Sequence, residues 1–306
     1  MSSVVVLGAS GMLGSMVTDV LERQGGFQVA GTVRSDGLAA ACREQLPSVD
    51  WRTYDVSADD GLASAIDGAD WVVNAIGLTK PFVRDDDPAQ VERAIWGNAI
   101  FPFRLADAAE AAGASVIQIA TDCVYSGGAG RYVESAEHDA LDVYGKTKSL
   151  GEVRRPNMHL LRCSIIGPEP STPRYLLEWL RRQPSGATVN GYADHLWNGV
   201  STYAFARICA GIIGGSASEP GLQHVIPNGD VTKADLLVLL AKAYGRDDIT
   251  VVPGPSPHAI DRTLRTEHPD RNAAFWTAAG YPGAPTVSDM VTELAAHTPR
   301  LTDLPK

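Results

Sequence analysis

The stretch GASGMLG, residues 8–14, decides the fold. It stands between a short β-branched run, SVVVL at residues 3–7, and MLGSMVTDVLERQ, whose apolar residues recur at spacings of three and four. In a strand–turn–helix setting, glycines permit a tight turn and let the backbone approach a pyrophosphate at a helix N-terminus. Gly8, Gly11 and Gly14 take those places, with the backbone of Ser10, Met12 and Leu13 between them. The reading is a dinucleotide-binding loop rather than a plain β-α turn, because the strand precedes it and the helix follows. Its spacing is GxxGxxG, not the commoner GxGxxG.

Working outward, FQVAGT, DWRTY, WVVNAIG and SVIQIA read as further strands. LAAACREQL, ASAID and a long span from about Pro88 to Ala112 read as the helices between them. Such alternation implies parallel strands, right-handed crossovers and helices on both faces: an α/β, Rossmann-type doubly wound sheet. After residue 125 the pattern loosens into a loop, a helix from about Val143, the strand MHLLRC and the Pro-rich tract IIGPEPSTPRY. Beyond these lie a helix ending LLEWLRR, a turn region GYADHLWNGVST, the helix YAFARICAGII, the strand GLQHVI and the helix KADLLVLLAKAYG. PGPSPH and YPGAP read as loops flanking a last helix, SDMVTELAAH. The expected organisation is a dinucleotide-binding domain over residues 1–165, with a sheet extension from about 221–245. Residues 166–306 then form mainly a smaller C-terminal substrate-binding lobe.

The 306 residues, 44% hydrophobic, suffice for a large core, and a net charge of −10 argues against a broad nucleic-acid footprint. Cys42, Cys123, Cys163 and Cys209 form no CxxC pair, which speaks against a zinc site or a disulfide framework. MSSVVVLGAS enters a strand at once, and no window holds 18 uninterrupted apolar residues. A cytoplasmic, reduced protein off the membrane is therefore expected, with no metal site assigned.

The end of the second strand bears on the choice of dinucleotide. An acid there binds a ribose 2′-hydroxyl, whereas an arginine accommodates a 2′-phosphate. The strand ends GTVRS, so Arg34 and Ser35 favour NADP(H); NAD(H) stays open if Asp36 does the acid's work. Asp55 in TYDVS, with Val56 beside it, is a candidate for the adenine side or a turn acid. YGKTK sets Tyr144 and Lys148 four apart on one helix face, where an ammonium near a phenol favours proton exchange.

Taken together, GASGMLG, NAIG after the fourth strand, a hydroxyl closing the fifth and YGKTK resemble the extended short-chain dehydrogenases/reductases. Within them, IATDCVYSG, YGKTKSLGE and LLRCSIIG are similar to the dTDP-4-dehydrorhamnose reductase branch of nucleotide-sugar ketoreductases. The resemblance implies catalytic roles for Thr121, Tyr144 and Lys148, with hydride delivered to a sugar C4 carbonyl and the proton coming from Tyr144. It also implies that Asn74, Ala75, Ile76 and Gly77 border the cofactor and that Asn98 supports the site. Lys80, Cys123, Arg162, Trp197 and Asn198 are candidates for contact with the nucleotide-sugar substrate, an internal ion pair being the other reading of Arg162, and a homodimer is common in the fold.

Cys123 departs from the aromatic usual in rhamnose enzymes and has no basic neighbour in sequence to generate a thiolate. Two other readings remain at this level. One is an epimerase or dehydratase of the same fold, although the Asp-Glu pair of dehydratases is incomplete after Thr121. The other is a non-catalytic NADP-binding regulatory protein, against which the intact Thr121, Tyr144 and Lys148 set argues.

Overall fold

The computed structural model describes residues 1–57, 60–171, 173–215 and 219–305. Its first half runs β1 (Ser2–Leu7), α1 (Met12–Gln24), β2 (Phe27–Val33), α2 (Asp36–Gln45), β3 (Asp50–Thr53), α3 (Leu62–Ala65), β4 (Trp71–Asn74), α4 (Pro88–Ala94), α5 (Phe101–Ala112), β5 (Ser115–Thr121) and α6 (Val143–Leu150). Next come β6 (Met158–Cys163), β7 (Ile165–Ile166), α7 (Leu176–Arg181), β8 (Thr188–Tyr192), β9 (His195–Trp197), β10 (Val200–Ser201) and α8 (Thr202–Ile213). The chain ends with β11 (Gly221–His224), β12 (Val231–Thr232), α9 (Lys233–Ala243), β13 (Thr250–Gly254), β14 (Ile260–Asp261), α10 (Pro269–Ala278) and α11 (Val287–Ala296).

A seven-stranded parallel sheet in the order β3-β2-β1-β4-β5-β6-β11 organises the molecule. β1 explains why it is buried on both sides. Val4 and Val6 enter one hydrophobic cluster while Val5 and Leu7 enter another, so no face of the strand is left for water. The first cluster joins α1, α2 and α8 to later elements as far as Leu304; the second is closed by α3 and α5. This is the doubly wound α/β fold expected from the sequence. Its strand order reverses between β1 and β4, where open sheets of this kind form a crevice at the strands' carboxyl ends.

Three segments depart from the sequence reading. The long helix from Pro88 is broken by a π-helical turn, Ile95–Ile100, before α5 begins. Pro102 has no N–H to offer the Asn98 carbonyl, and its ring would crowd a regular turn there; the wider turn relieves both. The region read as a turn, GYADHLWNGVST, instead contributes to β8 and supplies β9 and β10. β8 pairs β13, β9 lies between β12 and β14, and β10 pairs β7, all pieces too short to show a period-two pattern. Finally, α10, with Pro269 in its first turn, lies between PGPSPH and YPGAP, in a stretch to which the sequence reading assigns no element. Within the Pro-rich tract, Thr172 lies outside the described residues.

Candidate active site

A cleft of about 870 Å³ runs along the carboxyl ends of the strands, from the glycine loop to Tyr144 and on to Trp197. At its start Gly8 has φ 74°, a left-handed conformation that favours glycine. A Cβ on Gly14 would lie 2.2 Å from the Gly8 carbonyl oxygen, so the helix can approach the turn only without one. Gly11 caps α1 with no side-chain partner, which leaves the helix's first N–H groups for a ligand. Gly8, Ser10, Gly11, Met12 and Leu13 line the cleft, while Gly14 acts from behind through its close packing. A smooth, donor-rich cradle of this kind fits a dinucleotide's pyrophosphate.

At the end of β2, Arg34 lines the cleft but Ser35 does not; its hydroxyl accepts from Leu38 N at 3.4 Å and caps α2. Asp36 is engaged within the fold, accepting from the Thr53 hydroxyl at 2.6 Å. Arg34 also borders a side recess of about 560 Å³ together with Arg93 and Arg174. Asp55 and Val56 form part of the wall. The Asp55 carboxyl is held below its ordinary range, first by the Ser57 hydroxyl at 2.6 Å and the Ser57 N–H at 2.9 Å, then by the Arg34 charge.

Ala75, Ile76 and Gly77 line the opposite wall, but Asn74 and Asn98 stand behind it. Asn74 accepts from Ile76 N at 3.1 Å and donates to Gln118 at 3.3 Å. Asn98 accepts from Leu78 N at 2.8 Å, donates to Leu78 O at 2.9 Å and reaches the Thr147 hydroxyl at 3.3 Å. One amide therefore fastens the loop after β4 to α6. Lys80 is ion-paired at 2.6 Å with Asp142, whose carboxylate also caps α6 by accepting from Gly145 N at 2.7 Å.

Thr121, Tyr144 and Lys148 converge on the cleft from the end of β5 and from α6. The Thr121 hydroxyl accepts from Cys123 N at 3.2 Å and approaches Asp122 Oδ1 at 3.3 Å. Burial drives the Tyr144 phenol far above its ordinary value, the neighbouring Cys123 adds to this, and a hydrogen bond with Thr121 opposes it. Burial brings Lys148 down to about 8, against the pull of Glu152; its ammonium donates to the Ile119 carbonyl at 3.0 Å. The Cys123 thiol is pushed up to about 12 by burial and by Asp122, which makes it a poor nucleophile.

The family model described as the RmlD substrate binding domain matches residues 1–278. The chain belongs to that family. With it stands the expected class, an NAD(P)-dependent oxidoreductase among the extended short-chain dehydrogenases/reductases. The chain is similar to a dTDP-4-dehydrorhamnose reductase of Streptomyces griseus, 27% identical over 293 residues, covering 90% of this chain and 87% of that one. The solved dTDP-4-dehydrorhamnose reductase of Bacillus anthracis, in complex with NADP, superposes with a TM-score of 0.73 at 16% identity, covering 97% of this chain and 99% of that one. The UDP-glucuronic acid 4-epimerase of Bacillus cereus, with UDP-glucuronic acid and NAD, gives 0.71 at 18%, covering 96% and 99%. These two likenesses concern the fold.

Two substrate candidates in this RmlD-family chain are corrected by the geometry. Arg162 has no exposed surface. Its guanidinium donates to Glu152 at 3.0 and 2.5 Å and to the Tyr125 hydroxyl at 2.6 Å, and meets His224 and His138 at 2.7 and 2.8 Å. It is an internal ion pair, because every position of β6 is buried and a charge there must find its partners inside. Asn198 is likewise buried, exchanging hydrogen bonds of 2.8 and 3.0 Å with the Leu264 backbone. Trp197 does line the cleft, with its indole N–H donating to Ser164 at 2.8 Å. Sequence reasoning missed Arg93, Arg174, Tyr175 and Lys233. Tyr175 reaches the Thr79 hydroxyl at 2.5 Å, and both residues line the cleft. None of the four belongs to a local motif. Among the described residues no cluster of metal-ligating side chains occurs, and no helix is long and apolar enough to cross a membrane.

Proposed function

We propose that this protein is an NADP(H)-favouring reductase of the 4-keto group of a nucleotide-linked deoxysugar, with the first 165 residues chiefly holding the cofactor. The observation that carries it is the meeting of Thr121, Tyr144 and Lys148 in the cleft that begins at the glycine loop. When bound, a nicotinamide supplies the hydride. The chain's own part is to hold the carbonyl oxygen, through Thr121 and Tyr144, and to give it a proton from the Tyr144 phenol. Because burial keeps that phenol protonated across the neutral range, it suits donation to a developing alkoxide better than abstraction from an alcohol. Lys148 and the N–H groups of the glycine loop would hold the cofactor's ribose and pyrophosphate. Arg34, with Arg93 and Arg174 around one recess, suits a 2′-phosphate, and Asp36 is already committed to Thr53. The resemblance to the Streptomyces griseus enzyme supports the same reading of the sugar.

Purified protein given NADPH and a panel of 4-keto-6-deoxy sugars on dTDP, UDP and GDP should oxidise the cofactor with at least one member. Tyr144→Phe should lower turnover by about 10²–10⁴-fold while NADPH binding stays near wild type. Full turnover by that variant would remove Tyr144 from the chemistry. No oxidation with any sugar, together with cofactor retained through purification, would favour the epimerase reading that the Bacillus cereus likeness keeps in view.

A further inference from the structure

Lys233 begins α9 and points its side chain into the far end of the cleft, beside Trp197, Asp122 and Cys123. Strand pairing fixes it there. β12 lies antiparallel to β9 with Val231 opposite Trp197, so the next turn of chain carries Lys233 over the indole, 5.3 Å from its ring centre. Its ammonium, half-buried over the indole, makes no hydrogen bond or ion pair with any described residue. The carboxyl group that acts on it is Asp122, which follows Thr121, is itself buried and is pushed up by that burial; the two form no salt bridge. Arg262 acts on the same carboxylate, but its Nε is committed to the Tyr125 carbonyl at 2.7 Å. What remains is a gap with a donor on one side and an acceptor on the other, next to the reacting hydroxyls.

Resting on the reading above, we propose that Lys233 is a specificity-determining substrate residue. It donates a charge-assisted hydrogen bond to a ring hydroxyl of the sugar, and Asp122 accepts a hydrogen bond from that same hydroxyl. Trp197 beneath supports the lysine stem and offers an apolar face to the same ring. The test is equilibrium titration of the NADPH-loaded protein with dTDP-rhamnose and, separately, with dTDP alone, for wild type, Lys233→Met and Lys233→Arg. Lys233→Met keeps the stem on the indole and removes the donor; it should weaken dTDP-rhamnose by about tenfold or more and leave dTDP unchanged. Lys233→Arg should recover part of the loss. Equal affinity of wild type and Lys233→Met for dTDP-rhamnose, or an equal loss for dTDP and dTDP-rhamnose, would overturn this role alone. Failure of the wild type to bind either compound would overturn the dTDP-sugar form of the reading above and this role with it.

Discussion

Replacing Arg162 by methionine should destabilise the protein severely, although the residue lies outside the cleft. The guanidinium has 0% side-chain exposure and its partner Glu152 has 4%, so neither charge reaches water. Two of its bonds go to the carboxylate and one to the Tyr125 hydroxyl, with His138 and His224 completing the shell. Methionine fills much of the volume but strands Glu152 as a buried, uncompensated charge. Breaking a buried pair from one side costs about 3–5 kcal/mol, a large part of the roughly 5–15 kcal/mol that holds a typical domain. Adding Glu152→Gln removes the stranded charge, so the double variant should be more stable than Arg162→Met by about 1–2 kcal/mol. Urea unfolding with a shared m-value reads both differences from the midpoints. The reasoning fails if Arg162→Met lies within about 1 kcal/mol of wild type, or if the double variant is the sum of the two single losses.

Two further outcomes follow from the cleft. Gly14→Ala forces a methyl to within 2.2 Å of the Gly8 carbonyl and should cost about 1–3 kcal/mol as well as weakening NADPH; Gly37→Ala, where an added methyl meets nothing within 4 Å, serves as the control and should be neutral or slightly stabilising by both measures. Burial sets Lys148 at about 8, so its charge is present below that value and lost above it. NADPH affinity, followed by fluorescence titration between pH 6 and pH 10, should fall as pH rises through about 8, and Lys148→Met should flatten that step.

The parts legible in sequence were those whose signal is local. GASGMLG between strand and helix, and the four-residue spacing of Tyr144 and Lys148, are short-range patterns, and each residue named from them except the packing Gly14 lines the cleft. Arg162 reads from sequence as either a substrate contact or an internal ion pair, because a charge at the end of a strand looks available; only the sheet's outer neighbour, β11, and the loop carrying His138 reveal that it is enclosed. Asn98 was found by position, but its work depends on the π turn, and the clue to that turn was Pro102 within an otherwise helical stretch. Lys233 carried no signal at all, since its place is set by the pairing of β12 with β9, two segments far apart in the chain.

The Asn98 amide has a consequence for how the cleft meets its ligands. Its three contacts tie the wall after β4 and the helix bearing Tyr144 into one rigid piece, so the gap between them behaves as a fixed gauge. Neither wall can step back without unmaking the same amide. Any widening for a bulkier guest therefore falls to the side of the cleft that this amide does not hold, where Trp197 and Lys233 stand.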